Sequence, residues 1–118
     1  MFNVGCNQVT AITGATYSGV MGIKTNHVLF HEAMMEVVAL AQASNINVTE
    51  NDALEFEHLL TTFSPQGKTS MLQDVEAGRR TEVDYFAGTV AELGIRLNVP
   101  TPVNHAMYCI LKSKEQLY

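Results

Sequence analysis

Tryptophan is absent from this chain of 118 residues, and proline (three), cysteine (two) and basic side chains (seven) are scarce. Each shortage excludes something. Cys6 and Cys109 belong to no CxxC pair, which argues against a disulfide scaffold or a thiolate zinc site. The expectation is two free, buried thiols in a reducing compartment, hence a cytoplasmic chain. Seven scattered Lys and Arg against twelve Asp and Glu leave a net charge of −5 and no basic stripe, so nucleic acid is not an expected partner. No apolar run approaches the roughly 20 residues of a membrane span. No basic leader followed by a cleavage site is visible either.

What is present can fill a core: 47% of residues are hydrophobic and 16% charged. One domain is the default at this length. Apolar side chains recur at helical spacing almost throughout, and no alternating strand is legible, so the expected class is all-α, a compact multi-helix domain. Phe2, Cys6, Val9 and Thr13 begin this pattern at the first residues, with no cap ahead of them, which suggests a chain cut from something longer. GATYSGVMG, residues 14–22, interrupts the period as a loop or a short distorted helix.

A long helix is expected over Asn26–Ala43, burying Phe30, Ala33, Met34, Val37, Val38 and Ala41. Thr49 and Asp52 have the spacing of an approximate capping box ahead of Phe56, Leu59, Leu60 and Phe63. Ser64–Gly67 is a breaker, Ser70–Ala77 a short helix, and Gly78 suits a left-handed position after it. Thr81 caps the next helix, with Val83, Phe86, Ala87, Val90 and Leu97 inward. Thr101-Pro102 starts the last, with Val103, Ala106, Met107, Ile110 and Leu111 on one face.

Several polar groups invite a functional reading. His27 and His31, at i and i+4, could ligate zinc or iron if a third ligand converged. With no HExxH, and Glu32 and Glu36 not clearly on the same stripe, a solvated helix edge is preferred and no metal site is assigned. Asn3 and Asn7 point the same way from one helix, and a carboxamide can serve a hydroxyl, a ketone or a carboxylate. Hydrogen bonding to a neighbouring helix is the simpler use for both. Ser70 is most simply a helix cap, alternatively a hydroxyl offered to an anion. Glu82 in a first helical turn is explained by the helix dipole. Arg79 and Arg80 are expected to be solvated, and Met34, Met35 and Met71 to fill the core.

The order of these signals is more specific than any one of them. SMLQDVEAGRRTEVDYFAG, then LG, then VPTPVNHAMYCILK, preceded by the asparagine pair in NVGCNQVTAITGATY, resembles the C-terminal domain of the ketopantoate reductase (2-dehydropantoate 2-reductase) family. The likeness covers nearly the whole chain. It implies the helical substrate domain shared with 6-phosphogluconate dehydrogenase-like proteins, spanning 1–118. It implies too a partner N-terminal Rossmann domain that binds NADPH, and reduction of a 2-oxo acid, ketopantoate, to pantoate. Asn3, Asn7 and Ser70 match substrate-binding positions of the family, and Glu82 matches the acidic residue at the cofactor–substrate junction. The family lysine that donates the proton would fall before Met1, so no catalytic residue is expected in this chain, and Lys24 and Lys68 do not replace it. No GxGxxG follows a strand, so no dinucleotide-binding half is expected here. Tyr17 is the nearest candidate for a further polar contact but cannot be aligned across the glycine-rich segment. A homodimer is the expected assembly. A free-standing dimerisation or binding module, a reductase of another 2-oxo acid and a metal-binding helical protein are the alternatives.

Overall fold

The computed structural model describes residues 1–118. It consists of seven α-helices: α1 (Phe2–Thr13), α2 (Tyr17–Gly22), α3 (Lys24–Ala43), α4 (Glu50–Leu60), α5 (Ser70–Glu76), α6 (Thr89–Leu97) and α7 (Pro102–Leu117). A five-residue π-helical turn, Asp84–Gly88, runs directly into α6. There is no strand, as the hydrophobic period predicts.

Helix α1 is the central post, against which α3, α5, α7 and the π turn all pack. Val4, Gly5, Cys6, Gln8, Val9, Thr10 and Ala11 are buried along it, so its surroundings are apolar on most sides. Gly5 makes the closest of these approaches possible. A Cβ built there would stand 2.6 Å from the Phe30 ring, so any larger residue would push α3 away. The main core gathers Cys6, Val9, Phe30, Met34, Leu60 and Met107, and Phe2 continues it into an aromatic cluster with Phe30, Phe56 and Phe63. A second core sets Ala11 against Met71, Val83, Ala87 and Leu111.

Helix ends show which local expectations hold. Asp52 accepts the Thr49 N–H at 2.8 Å, completing the box that starts α4. Gly78 takes φ +72° after α5, the left-handed region glycine enters without a Cβ penalty. Residues 17–22 form a helix, α2, so the glycine-rich segment is ordered. At α7, Pro102 occupies the first turn as expected, but Thr101 makes no side-chain cap. Instead the Glu36 carboxylate, from α3, accepts the N–H groups of Val103 and Asn104, each at 2.8 Å. A carboxylate across two helices does the capping there, where its charge also suits the helix dipole.

Thr81 does not cap an α-helix in the expected way. Its N–H and hydroxyl both donate to Glu115 of α7, at 2.6 and 2.9 Å, and its Oγ1 accepts from Val83 only two residues on. Leu59, Leu97 and Ile110, expected inward, stand partly in solvent. Cys6 is buried as expected, but Cys109 is exposed, because it lies off the stripe of α7 that buries Asn104, Met107 and Leu111.

Candidate functional site

Four elements meet around one small depression lined by Asn7 of α1, Ser70, Met71 and Asp74 of α5, Glu82 of the preceding turn, and Phe86 of the π turn. Three of the four residues singled out in the sequence are thus brought together. Asn3, one helical turn before Asn7, is exposed and does not line it. Tyr17 lies elsewhere, edge-on to Phe63 with centroids 5.1 Å apart in an apolar pocket.

The α5 cap is the first thing that sets this geometry. Thr69, not Ser70, is the N-cap: its Oγ1 accepts the Leu72 N–H at 3.1 Å. The sequence offers two adjacent hydroxyls, and burial decides between them, with Thr69 at 2% exposure and Ser70 in the open. Ser70 is therefore released from capping, and its hydroxyl makes no hydrogen bond within the chain.

The second is a hydroxyl relay. Thr10 donates to the Asn7 carbonyl at 2.9 Å, and the Thr10 and Thr69 hydroxyls meet at 2.6 Å. Each hydroxyl carries one proton. Thr10 has given its proton to Asn7, so Thr69 donates to Thr10 while accepting from Leu72. Every group in the chain Leu72 N–H, Thr69, Thr10, Asn7 carbonyl is satisfied, and α1 is tied to the start of α5 directly behind Asn7 and Ser70.

The polar groups in the depression differ in their freedom. Asp74 is held by the Arg79 Nε at 3.0 Å, which offsets one of the two carboxylates there. The Asn7 amide, the Ser70 hydroxyl and the Glu82 carboxylate have no side-chain partner within the chain. A neutral donor–acceptor amide, a hydroxyl and a carboxylate can between them hold a ligand bearing both carboxylate and hydroxyl groups. Met71, Asp74 and Phe86 were not singled out as site residues. Met71 and Asp74 sit in the same motif as Ser70, which is the signal that could have found them.

The histidine pair has a different fate from either reading above. His27 Nε2 and His31 Nδ1 both contact Oε1 of Glu57, at 2.9 and 3.1 Å, and His31 Nε2 reaches Glu50 at 3.3 Å. The Glu57 side chain is only 6% exposed. The pair is thus a polar clasp between α3 and α4 rather than a merely solvated edge.

A family described as ketopantoate reductase PanE/ApbA C terminal matches residues 1–115. The chain belongs to this ketopantoate reductase C-terminal family. It is 32% identical over 117 residues to a 2-dehydropantoate 2-reductase of Pyrobaculum aerophilum, covering 98% of this chain and 41% of that protein. A Mesorhizobium japonicum 2-dehydropantoate 2-reductase is 28% identical over 112 residues, covering 93% of this chain and 33% of that one. The chain therefore spans well under half the length of these curated relatives. Among solved structures, a dimeric ketopantoate reductase from Staphylococcus aureus superposes with a TM-score of 0.90 at 22% identity, over 98% of this chain and 40% of that one. A D-mandelate dehydrogenase bound to NADH and anilino(oxo)acetate superposes at 0.89, also at 22% identity, over 98% of this chain and 65% of its own. Such identities speak for the fold alone: the helical bundle is that of the ketopantoate reductase C-terminal domain. No helix of the bundle is long and apolar enough to cross a membrane.

Proposed function

We propose that this chain is the substrate-binding domain of an NADPH-dependent reductase that converts ketopantoate to pantoate. One observation supports it above the others. Asn7, Ser70 and Glu82 come from separate elements, match the family's ligand-contacting positions and converge on one depression, none of them engaged by the rest of the chain. Ser70 and the Asn7 amide would donate to the substrate's carboxylate and hydroxyl, and Glu82 would act at the cofactor–substrate junction, the position that the family resemblance gives it. Asn3, exposed one helical turn before Asn7, does not line the depression, and its assignment to the substrate rests on the family resemblance alone.

The residues present do not build a dinucleotide pocket. That pocket needs a glycine-rich turn between a strand and a helix, and the chain has no strand. NADPH, which would supply the hydride, is therefore assigned to the part of the relatives' length that this chain does not span, together with the proton-donating lysine. This chain orients the ketone and fixes the carboxylate, which is how a protein contributes when the cofactor carries the chemistry.

Steady-state kinetics on the full-length reductase carrying this chain tests the proposal. Asn7→Ala and Ser70→Ala are expected to raise KM for ketopantoate with the fold intact. Unchanged KM and kcat in both would overturn it.

A further inference from the structure

The π turn beside the depression has a cause in the core. In an α-helix the Ala87 N–H would donate to the Val83 carbonyl. Here that carbonyl accepts from Gly88, at 3.0 Å, and the turn holds one residue more than an α-helical turn would. The Ala87 N–H donates instead to Oε1 of Gln8, at 2.9 Å. Gln8 is wholly buried on α1, next in sequence to Asn7, and its Nε2 donates to the Val4 carbonyl at 2.7 Å. Its amide is therefore oriented at both ends: the nitrogen faces a carbonyl, the oxygen faces an N–H.

A buried carboxamide costs free energy unless each of its groups is paired. What only an acceptor can do here is take the backbone N–H that the extra residue leaves over. The turn it sustains carries Phe86 and begins two residues after Glu82, and both of these residues line the depression. Removing the extra residue's register would rotate these side chains by about 100° relative to α6 and shift them by about 1.5 Å.

We propose that Gln8 is a positioning residue: by accepting the Ala87 N–H it holds the π turn open and so keeps Glu82 and Phe86 facing Asn7 and Ser70. This rests on the reading of that depression as the ketopantoate site.

The test compares Gln8→Met, which keeps length but removes the acceptor, with Gln8→Glu, which keeps it. In the 118-residue chain, amide hydrogen exchange at Ala87 reports the turn. In the full-length reductase, KM for ketopantoate reports the site, and Ser70→Ala serves as control. Gln8→Met is expected to speed Ala87 exchange and to raise KM roughly tenfold, with a smaller change in kcat. If Ser70→Ala raises KM and Gln8→Met does not, or if Gln8→Met raises KM with Ala87 exchange unchanged, the role of Gln8 is overturned. If neither variant moves KM, the substrate reading fails and takes this role with it. Should Gln8→Met not fold, Gln8→Glu decides. Its carboxyl oxygen accepts from Ala87 as the Gln8 amide oxygen does, so Ala87 exchange and KM are both expected to stay near wild type. A KM raised as far as by Ser70→Ala while Ala87 exchange stays at the wild-type rate would overturn the proposal.

Discussion

Thr69 and Thr10 share a hydroxyl–hydroxyl hydrogen bond of 2.6 Å across 59 positions of sequence. It joins the cap of α5 to the carbonyl of Asn7, so the helix end that presents Ser70 is locked to the helix that presents Asn7. If the depression takes a substrate as proposed, this buried pair fixes two of its donors before the ligand arrives, with two small side chains.

Replacement of either neighbour at the α5 start should therefore have opposite consequences. Thr69→Val removes a cap and the hydrogen bond that Thr69 donates to Thr10, at a cost of about 1–3 kcal/mol in urea unfolding. Ser70→Ala removes neither and should change stability by less than about 0.5 kcal/mol. Equal costs for the two would show that the cap had been assigned to the wrong hydroxyl.

In the full-length reductase, Asn7→Ala and Ser70→Ala should each weaken ketopantoate binding by roughly tenfold to a hundredfold. Each removes a hydrogen bond to a charged ligand, on the order of 1.5–3 kcal/mol. The 118-residue chain alone should consume no NADPH above a blank lacking enzyme, a result read directly from absorbance.

Glu57, its side chain only 6% exposed, receives two imidazoles that are themselves 41% (His27) and 28% (His31) exposed. Glu57→Ala should destabilise the chain by about 1.5–3 kcal/mol by leaving His27 and His31 without their shared acceptor. Thermal unfolding at constant pH measures this; a loss below about 0.5 kcal/mol would mean that water replaces the carboxylate without cost.

The two thiols should separate chemically. Burial pushes the Cys6 thiol up to about 12, so it stays protonated and unreactive at pH 8, whereas Cys109 is exposed. One fast-reacting thiol per folded chain is expected with an aromatic disulfide reagent, and two after unfolding. The same shift has a stability consequence. Above about pH 9 the unfolded chain loses the Cys6 proton while the folded chain keeps it, so this group makes stability fall as pH rises towards 12. Its contribution to the slope is up to about 1.4 kcal/mol per pH unit. Cys6→Ala should flatten this part of the profile.

Association is expected through helix faces rather than through cysteine. Ile95 and Leu117, at 84% and 80% exposure, leave apolar surface on the last two helices. Because Cys109 is exposed, light scattering must be run in reducing buffer to test this. A mass that stays at 13.0 kDa at high concentration would count against a dimer.

The helices were legible because a 3.6-residue hydrophobic period is a local property of the chain. Phe30, Ala33, Met34 and Val38 announce α3, and Thr49 with Asp52 announces the start of α4, since both ends of each interaction lie within one or two turns. The order of motif residues around Ser70 likewise sufficed to identify the family. Tertiary packing decided what those residues do. Whether Thr69 or Ser70 caps α5 depended on which hydroxyl the core covers, and α1 covers Thr69. Glu36 caps a helix that begins 66 positions later in the sequence, and Glu57 meets two histidines on another helix. No local pattern marks the π turn, because its surplus N–H is satisfied by Gln8, 79 positions away in sequence. Backbone and side-chain donors have to be paired wherever they are buried, but the chain chooses their partners only after its helices have packed.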